Sequence, residues 1–261
     1  MSDWLHDLPV PVMALVIFGF TWLMTWAIYL GVAALAARGF DKSFKAISVG
    51  MLPSLGIIFG LFVAFTAAQV WSDNDRAGAA ISREASALRS ILVFDASFPG
   101  EPQARLNDLV RDYVRQTADV EWPMLAHQTA SLNTTPKALS DALQLVLSLP
   151  ANAAGQQTAQ HEIVSAIETV LDARRQRIIV SLAEVNFVKW VCLYLQAACA
   201  LLAMAMVHSD DRRASFIALG LFATGVAASV LLIAAHDRPF IGQLSVKPDL
   251  LLQIMPGAPG R

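Results

Sequence analysis

Residues 50–88 read GMLPSLGIIFGLFVAFTAAQVWSDNDRAGAAISREASAL. The first half belongs to a run, Ala46–Ser72, with no acidic or basic residue in 27 positions. A helix crossing a bilayer needs about 20 apolar residues at roughly 1.5 Å each. From Asp73 the chain becomes charged, yet no turn cluster or proline marks the change. Ile81, Leu88, Ile91 and Leu92 then recur at helical spacing. The stretch therefore predicts one membrane helix that continues outside the bilayer as an amphipathic rod.

The same charge pattern extends outward in both directions. The 261-residue chain is 56% hydrophobic and 15% charged, with net charge −2. A soluble domain usually carries about 25% charged residues. The charge balance excludes a nucleic-acid binder working by bulk charge. Of the 40 acidic and basic residues, 24 lie from Asp73 to Glu184. Three further charge-free runs are Leu8–Ala37, Trp190–Val207 and Ala214–Ala235. The expected architecture is all-α with four transmembrane helices. A first hairpin covers 8–72 (helices 8–37 and 46–72), and a helical bundle covers 73–186. A second hairpin covers 187–236 (helices 187–208 and 214–235), and 237–261 form a tail. The flank Met1–Asp7 has no Lys or Arg, so the first run is not expected to be a cleaved signal peptide. Trp4, Trp71 and Trp190 fall near the expected interfaces, where amphipathic rings are favoured.

Breakers divide the middle segment: 99–102 (PGEP), 133–136 (NTTP) and 150–155 (PANAAG). Between them run three more stripes. Leu106, Leu109, Val110, Tyr113, Val114 and Val120 form one; Leu139, Leu143, Val146 and Leu147 the next; Ile163, Ile167, Val170, Leu171, Ile178 and Leu182 the last. No breaker separates Ile163 from the third membrane helix either, so a second continuous rod is expected. No stripe is wide enough to be buried alone, and the four form a bundle.

Catalytic and metal motifs are missing. There is no GxxxxGK(S/T), GxGxxG, GxSxG or HExxH. No enzyme, cofactor or metal is expected. Cys192 and Cys199 lie in an apolar run and make no disulfide framework. His161-Glu162 is accounted for by a solvated helix face. Glu121-Trp122-Pro123 reads as a helix end, with Pro terminating and Trp packing, in preference to a functional carboxylate. The four charge-free runs lack the ionisable groups that proton pumps and ion-coupled transporters place at mid-membrane. They fit a passive pore, or an anchor.

Pro53 removes a backbone hydrogen bond from helix 2, and a kink is expected there. Gly56 and Gly60 make a GxxxG step that permits close packing of another helix, either helix 1 or 4 of the same chain or a helix of another subunit. Ile57, Leu61 and Phe65 form an apolar ridge at i, i+4 and i+8. Gln69 and Gln196 need partners in lipid, which favours a homo-oligomer.

The stretch from Gly60 to Leu88 resembles the bacterial bestrophin-like-domain proteins. The match continues at Tyr113, at Glu121-Trp122-Pro123, at 173–177 (ARRQR) and at 237–242 (DRPFIG). A looser likeness leads to the true bestrophins, which are homo-pentameric anion channels whose second helix lines an apolar neck. By that resemblance Ile57, Leu61 and Phe65 are the neck, Thr66 and Gln69 lie just beyond it, and Pro239, Phe240 and Gly242 form a turn after the last helix. The acidic calcium clasp of animal bestrophins has no counterpart, since only Asp237 is acidic near that place. The resemblance implies a chloride-type anion channel, a pentamer, and a bundle and both termini on the cytoplasmic side of a bacterial inner membrane. Loop charges alone leave the orientation open, because the vote changes with whether the membrane-proximal arginines of the bundle are counted. The competing reading is a membrane sensor or scaffold whose bundle binds a ligand or partner.

Overall fold

The computed structural model describes residues 8–255, and of residues 40–43 and 45–49 the backbone only. Trp4 and the Met1–Asp7 flank lie outside the described residues. Nine α-helices occur among the described residues: α1 Val10–Leu35, α2 Asp41–Phe94, α3 Glu101–Gln116, α4 Trp122–Ala126, α5 Lys137–Ser148, α6 Ala154–Ser181, α7 Phe187–Val207, α8 Arg212–His236 and α9 Asp249–Leu252. No strand occurs among the described residues. Four of the helices are long and apolar enough to cross a membrane: α1, α2, α7 and α8.

The chain divides into two compact units. The first comprises 8–72, Glu184–Asp237 and Gly242–Leu244. Its α1 packs against α7 and α8, and these pack on each other. Met13 and Ile17 from α1 meet Phe59 and Val70 from α2, Leu193 and Ala197 from α7, and Val226 and Val230 from α8 in one buried cluster. Small residues allow the close approach that lipid-embedded helices rely on. A Cβ on Gly220 would stand 3.2 Å from the Trp22 ring, so the glycine makes room for that ring. Gly39 adopts φ +92°, a left-handed conformation that turns the chain between α1 and α2. At the start of α8, Asp211 accepts from the backbone N–H groups of Arg213 (2.9 Å) and Ala214 (3.2 Å).

The second unit comprises Asp73–Ala183, Arg238–Ile241 and 245–255. It buries the expected stripes. Ile81, Leu88 and Ile91 of α2, Leu106, Val110 and Val114 of α3, Leu139 and Val146 of α5, and Ile163, Ile167 and Val170 of α6 share one core. The segment expected to be a tail contributes too, with Leu251 buried there and Val246, Ile254 and Met255 packed against it.

α2 runs past Asp73 without interruption, as the sequence predicts, and stays helical through Pro53, where the sequence reading places a kink. The second expected rod is broken. α6 stops at Ser181 and α7 starts at Phe187. Asn186 caps α7 by accepting from Val188 N–H at 3.0 Å. The Val185 N–H, released from the helical ladder, donates to Asp237 Oδ1 at 2.6 Å. Two side-chain acceptors thus replace the missing helical bonds. Val120, Leu147 and Leu182, read as stripe positions, are exposed. Trp190 is buried inside the first unit, whereas Trp71 stays exposed.

Candidate functional site

Two features stand out, one in each unit. The first is the outward face of α2. At 100° per residue, Ile57, Leu61 and Phe65 fall along one drifting line. All three are exposed, Phe65 at 73%. Phe59 and Val70, on the other side of the helix, are buried. Thr66 belongs to that inner side. It is 5% exposed, and its hydroxyl donates to the Phe62 carbonyl at 2.8 Å, the usual way an intramembrane threonine satisfies itself. Gln69 returns to the outer line and is exposed. Its side-chain oxygen accepts from Lys189 Nζ, so its partner comes from the same chain rather than from another subunit.

The GxxxG step also faces outward. Nothing lies within 4 Å of a Cβ built on Gly56 or on Gly60. Neither glycine is therefore explained by helix packing inside one chain. Both leave room for a neighbouring helix backbone.

The second feature is a buried ionic cluster in the bundle. Arg177 of α6 is fully buried. Its Nε donates to Glu84 Oε2 at 2.8 Å, and its Nη2 to Glu84 Oε1 at 3.1 Å and Glu121 Oε2 at 2.7 Å. Arg174, one turn earlier, donates through Nε to Glu121 Oε1 at 2.8 Å. Tyr113 Oη donates to Glu84 Oε1 at 2.6 Å. The guanidinium carbon of Arg177 stands 5.3 Å from the centre of the Trp122 ring. Its Nη1 has no oxygen partner among the described residues, which leaves the negative ring face to receive its charge.

Two positive and two negative groups balance in this core, as buried charges require. Burial by itself pushes the Arg177 guanidinium down. The carboxylates of Glu84 and Glu121 outweigh it and hold the pKa above its ordinary value. Burial, then the Glu84 charge, pushes the Tyr113 phenol well up. Both groups keep their protons throughout the physiological range.

A single wide turn positions Glu121. Between α3 and α4 the residues Thr117–Glu121 form a π-helical turn. Such a turn inserts one extra residue and rotates the helix beyond it. It aims Glu121 inward at the two arginines and Val120 outward. Pro123 stands in the first turn of α4, where proline is tolerated, so 121–123 is not a helix end. Trp122 meets Phe240 edge-on, with centroids 5.5 Å apart, and its Nε1 donates to the Val246 carbonyl at 3.2 Å. Val246 N–H closes the stretch after α8 by donating to the Pro239 carbonyl at 2.8 Å, while Gly242 takes φ +85°. Phe240 is thus a core residue of the bundle, and Pro239 an acceptor that pins the segment. His161 and Glu162 lie exposed. No group of three potential metal-binding side chains occurs among the described residues.

Comparison with known proteins agrees with this architecture. A family model described as the Bestrophin-like domain matches residues 19–251. No curated protein matches the chain. Solved structures of a bacterial bestrophin homologue from Klebsiella pneumoniae are similar in fold. One single-residue variant has a TM-score of 0.68 at 15% identity, covering 91% of this chain and 96% of that one. Another has 0.70 at 13%, covering 93% and 95%. The form phased with zinc has 0.65 at 13%, covering 92% and 99%.

Proposed function

The chain belongs to the bestrophin-like family, and from that premise we propose that it is a homo-oligomeric, passive, anion-conducting ion channel of the bacterial inner membrane, most simply a pentamer. The observation that carries the proposal is the outward line of Ile57, Leu61 and Phe65 on α2, set beside the vacant faces of Gly56 and Gly60. Assembly around an axis would cover the glycines and turn the apolar line into a neck. Such a ring resists wetting and opposes ion passage until it widens. Gln69 lies one turn beyond Phe65, bonded to Lys189. Repeated in every subunit, that ammonium would form a positive ring at the end of the neck, which supports anion selectivity. Thr66 stays outside the proposed pore lining.

Native mass spectrometry in mild detergent tests the assembly, and a monomer defeats the channel reading. Planar-bilayer recordings across a KCl gradient test the rest. The reversal potential is expected on the chloride side of zero. A cation-directed potential overturns the selectivity, and silence overturns conduction in favour of a sensor or scaffold.

The proposed cytoplasmic bundle and termini rest on the family resemblance. A cysteine placed at Ser131, in a chain lacking Cys192 and Cys199, should resist an impermeant maleimide in intact spheroplasts. Rapid labelling there puts the bundle outside.

A further inference from the structure

A cavity of about 290 Å³ opens beside the ionic cluster, under the loop from Gln128 to Pro136. The loop is anchored at its start. Gln128 takes φ +57°, rare for a residue with a Cβ, and its Nε2 donates to the Ser181 carbonyl at 3.1 Å. At the loop's other end α5 begins at the cavity's edge with no side-chain cap. Its first amides are therefore available to an anion.

Three side chains make the cavity more than a helix end. Thr117 lines it and is 2% exposed, yet its hydroxyl has no partner among the described residues. That hydroxyl is open to the cavity and free to bond a ligand oxygen there. Arg174 also lines the cavity and is 8% exposed. Its Nε and Nη2 hold Glu121, and its Nη1 bonds nothing described. Lys137 is exposed at the rim and makes no ion pair with a described side chain.

We propose that this cavity binds a small organic monocarboxylate. Charge sets the valence. Glu84 and Glu121 are balanced by Arg174 and Arg177, which leaves Lys137 as one uncompensated positive charge at the cavity. A monoanion neutralises it, whereas a phosphate brings nearly twice that charge at neutral pH. Hydrogen-bonding geometry sets the headgroup. A carboxylate accepts from Lys137, from the Arg174 Nη1 and from the Thr117 hydroxyl with its two oxygens. The rest of the wall sets the body. Val120, Met124 and Pro136 offer an apolar surface that a bare halide would leave unused. The volume suits a small organic molecule. The site does not depend on conduction, because it lies within the second unit alone.

Isothermal titration calorimetry of the full-length protein in detergent, with benzoate as the probe and empty micelles as the blank, tests the proposal. Saturable binding is expected. Thr117→Val, which keeps shape and removes only the hydroxyl, should weaken it about tenfold. Lys137→Gln, an exposed change that leaves the core alone, should do the same. Circular dichroism confirms that each variant is folded. Absence of saturable benzoate binding overturns the proposal. So does binding that both variants leave unchanged, or binding matched by inorganic phosphate or by benzylamine.

Discussion

Arg177→Met should destabilise the bundle by about 3–5 kcal/mol, the usual cost of removing one partner from a buried ion pair. The size follows from the groups left behind. Glu84 is fully buried and would keep only the Tyr113 hydroxyl. Glu121 would keep Arg174 alone. Methionine fills most of the space but supplies no charge, so the loss is electrostatic rather than a cavity effect. A domain holds only about 5–15 kcal/mol in total, so this one change consumes roughly a fifth or more of it. The double variant Glu84→Gln with Arg177→Met should recover much of the loss, because it removes both charges together. Tyr113→Phe should cost less, about 1–3 kcal/mol, since Arg177 still satisfies both Glu84 oxygens. Denaturant unfolding of the detergent-solubilised protein, followed by circular dichroism, checks all three. An Arg177→Met loss below about 1 kcal/mol would mean that water solvates the cluster and that the charges are not truly buried.

That cluster also marks the limit of what local sequence carries. The breakers at 99–102, 133–136 and 150–155 place the bundle helices, because Pro and Gly act through their own φ and hydrogen-bonding restrictions. The continuity of α2 past Asp73 follows from the lack of a proline or turn cluster there, Gly78 being the one glycine between 61 and 94. The break at 182–186 does not, since its cause is the Asp237 carboxylate, 52 positions from the Val185 amide it accepts. The π-helical turn is equally hidden. Thr117–Glu121 has ordinary helical composition, and regular spacing assigns Val120 to the buried stripe, where one inserted residue turns it outward. The partners Glu84 and Arg177 are 93 positions apart. One local sign exists. Glu84 falls on the apolar stripe between Ile81 and Leu88, and Arg174 falls between Val170 and Ile178. A charge on a buried stripe requires an opposite charge from another helix. Tyr113, also on a stripe, shows that the apolar reading of a position does not exclude a polar end.

Phe65→Ala should raise the single-channel current about tenfold if the outward face of α2 is the neck. An ion crossing a ring of apolar side chains sheds part of its hydration shell and gains no replacement, so the barrier grows as the ring narrows and dries. Phe65 is the largest and most exposed side chain on the line. Cutting it to a methyl in every subunit widens the axis enough to admit water. A barrier lowered by about 1.4 kcal/mol multiplies the flux about tenfold. Leu61→Ser changes polarity more than width and should act in the same direction with a smaller gain. The two substitutions separate the neck from its alternative, in which the face meets lipid. There neither residue is near an ion. The serine hydroxyl simply bonds back to its own helix, as Thr66 does with the Phe62 carbonyl. Stability separates them as well. Phe65 is largely exposed in the first unit, so its truncation should leave the Tm of a dissociated chain almost unchanged and lower that of an assembly whose axis it helps to fill. Equal currents from wild type, Phe65→Ala and Leu61→Ser would place the stripe against lipid and move the permeation path to another surface.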